Sequence, residues 1–421
     1  MTVVRRIMLV TMLLAVFGAS LLPIAARAAE SRPNALDRRV DTISVSTLEH
    51  QPAAALVDPD RQSAAARLAS WFVPGWFATI VFQIVVLVYF WQSGAAARLR
   101  DRFRRNLPGE VYVRFMFGAV LVLIARLAAL VPGFYIFRIG RVMGLSGLLL
   151  RDWAATWLLN TIVAMAIAGV VVAIVLWLAD RTHQWYIYTM IAIVAGSFAL
   201  SFAAPTIVAP SFDRFRPLPV GIAPSIEALE ARVGLHVPIF VDERSGQTHL
   251  GDASVQGMGP TTRVLIASTI VDGETPAELR FVAAHTFGEI VANDPIRIAA
   301  IDALLVIFGV ALAVFVADRI RFRRDDDPVS RLGLVAALLA CVYLIMAPID
   351  NAILRSMSAN ADRYALALTG DRAAAVRVIV RETDQRLDDV CPDVLTRLFV
   401  QTTPPAGERV AAINAVPSRC P

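Results

Sequence analysis

Six apolar stretches, at 71–93, 111–137, 155–179, 185–208, 299–317 and 332–352, constrain this chain more than any other feature. Each is near the ~20 residues that an α-helix needs to cross hydrocarbon. A backbone N–H or C=O finds no water in lipid, so such runs are expected to cross as helices. Composition agrees: 57% of the 421 residues are hydrophobic and the mean hydropathy is +0.60, too apolar for an ordinary soluble protein. The expected frame is mostly α, a polytopic helical membrane protein of about 6–7 spans in contact with the lipid bilayer.

Charge orients the spans. The sequence contains no Lys, so the net charge of +5 comes from arginine. The arginines gather in short inter-helix loops, with no stripe interleaved with aromatics and no nucleic-acid motif, and nucleic acid is set aside as a partner. Arg98, Arg100, Arg102, Arg104 and Arg105 follow the first span, and Arg319, Arg321, Arg323 and Arg324 join the last two. The positive-inside rule assigns both loops to the cytoplasm. Residues 209–298 and everything after about 353 then lie on the extracytoplasmic face, as in a bacterial inner-membrane protein. Arg138, Arg141 and Arg151 fall outside and run against this trend.

Residues 1–28 carry Arg5 and Arg6, an apolar stretch and then Ala25-Ala26-Arg27-Ala28-Ala29. That is the layout of a secretory signal peptide, or of an uncleaved first transmembrane helix. Residues 29–70 read as a polar extracytoplasmic loop with some helix near 61–70. The remaining division is a four-span region over 71–208, a soluble insert over 209–298, two spans over 299–352 and an extramembrane C-terminal part over 353–421. Three cysteines show neither CxxC nor zinc-ribbon spacing. Cys341 reads as a small core residue, and Cys391 and Cys420 are candidates to pair if the C-terminal part lies outside the cytoplasm.

The insert is a small α/β unit. Ile226, Leu229 and Val233 share one face of a short helix opened by Pro224. Val237–Val241 and Arg263–Val271 are apolar, β-branched runs of strand type, flanking a Gly-rich polar loop from Ser245 to Gly259. Thr275-Pro276-Ala277-Glu278 then supplies an N-cap, a Pro at the first helical position and an acid at the third. The helix it opens carries His285 and Glu289 four apart, on one face. A zincin helix reads H-E-x-x-H, two His ligands and a Glu acting as general base on metal-bound water. Here Thr286 stands where the base would be and Glu289 where the second His would be. The frame is present without its base.

Other segments extend the comparison in order along the chain. They are Gly144-Leu145-Ser146 with Trp153, Ala209-Pro210 through Pro217-Leu218, and Gly257-Met258-Gly259 ahead of Arg263. Asn360-Ala361-Asp362 follows, and then Thr403-Pro404-Pro405 with Arg409-Val410. Together they resemble the M48 metallopeptidases, the integral-membrane branch of Ste24 or CAAX prenyl protease type, from about 55 to 415. The resemblance implies a zincin-like α/β metallopeptidase subdomain inserted in the helical frame, a water-filled chamber within the helices, and zinc. It also implies peptide docking along the Gly257 and Gly259 edge. His285, Asp362 and Arg409 match the family positions, with Asp362 supporting a ligand His from outside the metal's reach. Glu289 replaces the second His ligand, Ser358 the third ligand Glu, Thr286 the general base, and Thr403 the His of the H-P-P segment. Eukaryotic relatives expose this domain to the cytosol, so a CAAX substrate is not assigned.

A catalytic zinc takes about three protein ligands and a water. His285 and Glu289 supply two, the neutral Ser358 hydroxyl is a poor third, and Thr286 accepts no proton at neutral pH. The reading is therefore a catalytically impaired homologue that binds a peptide, a membrane protein or an active peptidase, with the weight against bound zinc. The alternative is a zinc metalloendopeptidase with an unusual His/Glu ligand set, assisted by His249 or Asp294. A transporter or scaffold reusing the chamber is a third reading. Apart from metal, His285 reads as a buried His hydrogen-bonded to Glu289 or Asp362.

Overall fold

The computed structural model describes residues 39–203, 215–243, 248–320, 327–418 and Cys420. The signal-peptide or first-span segment lies outside the described residues, as do 204–208 of the fourth apolar stretch and the segment from Ala209 to Arg214. The chain runs through α1 (Val45–His50), α2 (Pro59–Gln92), α3 (Ala95–Asn106), α4 (Glu110–Val142), α5 (Leu150–Arg181) and α6 (Trp185–Ala203). β1 (Phe215–Pro217), α7 (Ala223–Val233), β2 (Ile239–Asp242), β3 (Ala253–Gln256) and β4 (Arg263–Ala267) follow. The rest comprises α8 (Pro276–Val291), α9 (Asp294–Arg319), α10 (Pro328–Thr369), α11 (Arg372–Arg386), α12 (Val394–Phe399) and α13 (Ala406–Asn414).

Six of these helices, α2, α4, α5, α6, α9 and α10, are long and apolar enough to cross a membrane. Their outer faces leave Ile167, Leu304 and Ile345 60–64% exposed, which requires lipid rather than water beside them. Two spans reach further than their apolar runs. Asp58 caps α2 by accepting from Asp60 N at 2.8 Å, and Pro59 is preset for the first helical position. Nothing after Pro348 breaks α10 until Gly370, whose φ of +68° ends it. The last span and the Ser358–Asp362 segment thus form one helix of 42 residues, about 63 Å long. At the opposite end, Arg104 of α3 bonds both Glu110 and Asp327, at 2.7 and 2.8 Å. The start of α10 therefore lies against α3 at this end of the bundle.

The extramembrane part is built on a four-stranded sheet of order β1-β2-β4-β3. The central pair is parallel, with Val241 opposite Ile266, and the outer pairs are antiparallel. β4 stops at Ala267, where Ser268–Val271 turns into helix, so the second apolar run is shorter than its β-branched composition implies. β1 and β3 carry no alternating signal: one is three residues ending in Pro217, the other lies within the polar Gly-rich loop. Ile226 and Leu229 from α7, Phe281 and Phe287 from α8, Ile379 from α11 and Val410 from α13 close over Val241, Val264 and Ile266.

Residues 40–57 belong to this core. Val40, Leu48 and Leu56 are at most 1% exposed within it. Asn414 donates to Leu48 O at 2.7 Å and Asp384 accepts from Asp58 N at 3.0 Å. The fully buried Arg381 pairs with Glu278 and with Asp41. Cys391 and Cys420 form a disulfide with Cα atoms 5.2 Å apart, and Cys341 is free on a span.

Candidate active site

Helix α8 starts at a capping box, with Thr275 N donating to Glu278 Oε2 at 2.9 Å and Glu278 N to Thr275 Oγ1 at 3.4 Å. It is held almost entirely inside: Phe281, Ala283, Ala284 and Phe287 are at most 1% exposed. Close approach to α10 depends on Gly288, where a Cβ would lie 3.1 Å from Tyr364. One residue round from His285, Thr286 is fully buried and its hydroxyl donates to Ala283 O at 2.8 Å. That bond turns the group at the base position back onto its own helix.

His285 stands between two carboxylates. Its Nδ1 lies 2.9 Å from Asp362 Oδ1 and its Nε2 lies 3.5 Å from Glu289 Oε1. Arg409 grips Asp362 with two hydrogen bonds, Nε to Oδ2 at 2.7 Å and Nη2 to Oδ1 at 2.9 Å. Its Nη1 reaches Glu382 Oε2 at 3.3 Å. The result is a chain of alternating charge, Glu289–His285–Asp362–Arg409–Glu382, assembled from α8, α10, α11 and α13. Burial lowers the imidazole pKa, but the hydrogen bonds to Asp362 and Glu289 and their negative charges outweigh it and raise it to about 10.

A cavity of about 320 Å³ opens beside this chain, and His285, Glu289, Ser358, Thr403 and Arg409 all line it. Asp252, Glu382, Arg386 and Asp388 line it too and carry no motif that announces them. Only the apolar residues Val376, Val378, Ile379 and Val380 of α11, which share the core with α8, hint that the residues beyond them reach the same place. Burial pushes the Asp252 carboxyl above its ordinary range, with Glu382 and Glu289 adding to the rise. Arg386 bonds Gly251 O at 2.6 Å and so ties the start of β3 to α11.

Other candidate residues sit elsewhere. His249 is not among the cavity-lining residues and bonds Gly144 O at 2.7 Å. Asp294 lines the cavity but is held by Arg297 at 2.8 Å. Gly257 and Gly259 form the turn joining β3 to β4, and it is the opposite end of β3, Asp252–Ala253, that borders the cavity. Gly257 has a φ of +79° and a Cβ there would meet Thr261 O at 2.3 Å, so the turn geometry demands glycine. Among the described residues, no three His, Cys, Asp or Glu side chains are placed together to hold a metal ion.

With fold and site in place, comparison with known proteins gives a consistent result. Residues 226–416 match Peptidase family M48, and residues 66–214 match the CAAX prenyl protease N-terminal region of five membrane helices. The chain belongs to the M48 peptidase family. The crystal structure of S. mikatae Ste24p has the same fold, with a TM-score of 0.73. That match covers 94% of this chain and 98% of the other at 20% identity. "Uncharacterized metalloprotease YhfN" of Bacillus subtilis is 24% identical over 333 residues, covering 76% of this chain and 77% of that relative. A "CAAX prenyl protease 1 homolog" of Dictyostelium discoideum is 25% identical over 232 residues, 52% of this chain and about half, 54%, of the relative.

Proposed function

We propose that this chain is an M48-type membrane homologue that has lost peptide hydrolysis and holds peptide or protein partners in the cavity beside α8. The observation that carries this reading is that carboxylates face both ring nitrogens of His285, at 2.9 and 3.5 Å. An imidazole binds a metal only through an unprotonated nitrogen, and this arrangement favours a proton on each. The donor set does not suit a catalytic zinc: Glu289 is the partner of the one matching His, and Ser358 is neutral. At the general-base position the Thr286 hydroxyl is occupied within its helix; loss of general-base chemistry alone costs about 10²- to 10⁴-fold in rate. A cavity lined by both carboxylates and arginines remains to bind a partially charged peptide.

The proposed placement is the inner membrane of a bacterium, with this domain on the extracytoplasmic face. The Cys391–Cys420 disulfide supports that side, because disulfides persist in oxidising compartments. The arginines of α3 and Arg319, at the other end of the bundle, support it through the positive-inside rule.

The deciding experiment is metal content by mass spectrometry on detergent-purified protein, beside His285→Ala and Glu289→Ala. The expected result is no stoichiometric metal in any of the three. Near-stoichiometric zinc, lost in both variants, would overturn the reading in favour of a metalloendopeptidase with an unusual ligand set.

A further inference from the structure

Beside the Asp362–Arg409 pair, α10, α12 and α13 line another cavity, of about 550 Å³ and open to the surface. Arg355, Arg363, Arg397 and Arg409 line it against only two carboxylates, Asp362 and Glu408. Both are engaged: Asp362 by Arg409 and His285, and Glu408 by Arg397 at 2.7 Å. Arg355 gives Nη1 to the carbonyls of Arg397 and Gln401, at 2.6 and 2.7 Å. Arg363 reaches only the side-chain oxygen of Asn360. Among the described residues neither Arg355 nor Arg363 lies within ion-pair distance of a carboxylate, so four arginines face two carboxylates in this cavity and the balance is positive.

Its position relates it to the membrane. An adjoining cavity of about 480 Å³ shares Ala352 and Ser356 and is otherwise mostly apolar, with Pro348, Ile349 and Ile353. Ile345, Ile349, Ala352 and Ser356 follow helical spacing on one face of α10, and Ile345 and Ile349 are 62% and 50% exposed. The lipid-facing stripe of the last span therefore runs directly into the arginine-lined cavity. Helix α12 lies at the same level. Val394 and Leu395 are 70% and 52% exposed, and Phe399 packs on Phe77 and Trp76 of α2 with ring centroids 5.0 and 6.0 Å apart. Such a cluster of aromatic rings and apolar side chains suits the bilayer interface.

We propose that the two adjoining cavities form a site for one anionic phospholipid, its phosphate held by Arg355 and Arg363 and an acyl chain lying along Ile353, Ile349 and Ile345. The planar guanidinium fork matches phosphate oxygens in pairs, and basic pockets beside membrane helices take up lipid head groups in this way. Simple snorkelling of arginines at a helix end does not explain the cavity's continuity with the apolar stripe. Inorganic phosphate would answer the arginines but leave the stripe uncovered.

The test is native mass spectrometry of the full chain released from detergent, titrated with phosphatidylglycerol or with phosphatidylcholine of the same acyl chains. Two surface arginines predict one tightly retained phosphatidylglycerol, preferred about 10- to 30-fold. Arg355→Gln combined with Arg363→Gln is expected to abolish that preference, while Arg151→Gln, at the distant start of α5, retains it. Should the double variant fold poorly, Arg363→Gln alone weakens the preference, and Ser356→Phe blocks the site without removing charge. Equal retention of the two lipids by the unmodified chain, or an intact preference in the double variant, would overturn the site. Thermal protection by inorganic phosphate equal to that by phosphatidylglycerol would overturn the lipid assignment.

Discussion

Glu289 Oε1 lies 3.5 Å from His285 Nε2, on the ring nitrogen not taken by Asp362. Under the proposed function, the residue at the second ligand position serves His285 as a counter-ion. With a carboxylate at each nitrogen, the imidazolium becomes the stable form of the residue. This relationship has consequences for pH dependence, for metal binding and for the effect of reversing the change.

The pH dependence follows from the sign of the shift. The pKa of His285 in the folded chain is raised to about 10 from an ordinary 6.5. A raised pKa adds stability that is fully present below about pH 6.5 and is lost as pH rises through about 10. Thermal unfolding from pH 6 to 11 is expected to show the unmodified chain losing several degrees relative to His285→Gln. Parallel curves for the two proteins would refute the protonated pair.

Reversing the motif restores the donor set. Glu289→His, Ser358→Glu and Thr286→Glu together are expected to bind about one zinc per chain, and the unmodified protein is expected to bind none. Hydrolysis of a generic peptide mixture is then expected to rise by at least about 10²-fold, the contribution of a general base. Zinc content and fluorogenic-peptide turnover are the two measurements, and a triple variant without metal would show that the cavity itself has closed to it.

Arg381 neutralises the buried Glu278, which is fully inaccessible to solvent. Arg381→Met leaves that carboxylate unpaired and is expected to cost about 3–5 kcal/mol of stability. Adding Glu278→Gln, which keeps the capping hydrogen bond to Thr275 N, is expected to recover much of the loss. Denaturant unfolding of the two variants in detergent checks both statements.

The Cys391–Cys420 disulfide closes a 29-residue separation, and its removal by Cys391→Ser with Cys420→Ser is expected to cost about 3 kcal/mol. In intact cells a membrane-impermeant maleimide should label these thiols only after reduction. Labelling that needs the inner membrane to be permeabilised would place the domain on the cytoplasmic side.

The helical frame and the family were legible because long apolar runs leave a chain few folds, and because the turns flanking the spans carry recognisable residues. Pro276 and the Thr275–Glu278 box announce α8, and the structure joins them as their chemistry requires. The continuity of α10 was not legible: hydropathy falls at about 352, but helix termination needs a breaker, and none occurs before Gly370. Nor was the membership of Val40, Leu48 and Leu56 in the extramembrane core, since single apolar residues in a polar stretch have no period to betray the surface they cover. At the site, His285, Asp362 and Arg409 come together from positions the sequence singles out. Glu382 and Asp252 join them solely through tertiary contact. The inward turn of Thr286 follows from a local hydroxyl-to-carbonyl bond that its sequence context does not specify.

The core that unites residues 40–57, the sheet, α8, α11 and α13 has a consequence for biosynthesis. Its parts are separated along the chain by every one of the six spans, and Val410 and Ile413 lie among its last residues. Closing such distant contacts requires the intervening chain to be in place first. The soluble half therefore cannot consolidate on the emerging polypeptide. It must wait until the final span is in place, and a chain truncated before α13 is left with its insert unassembled.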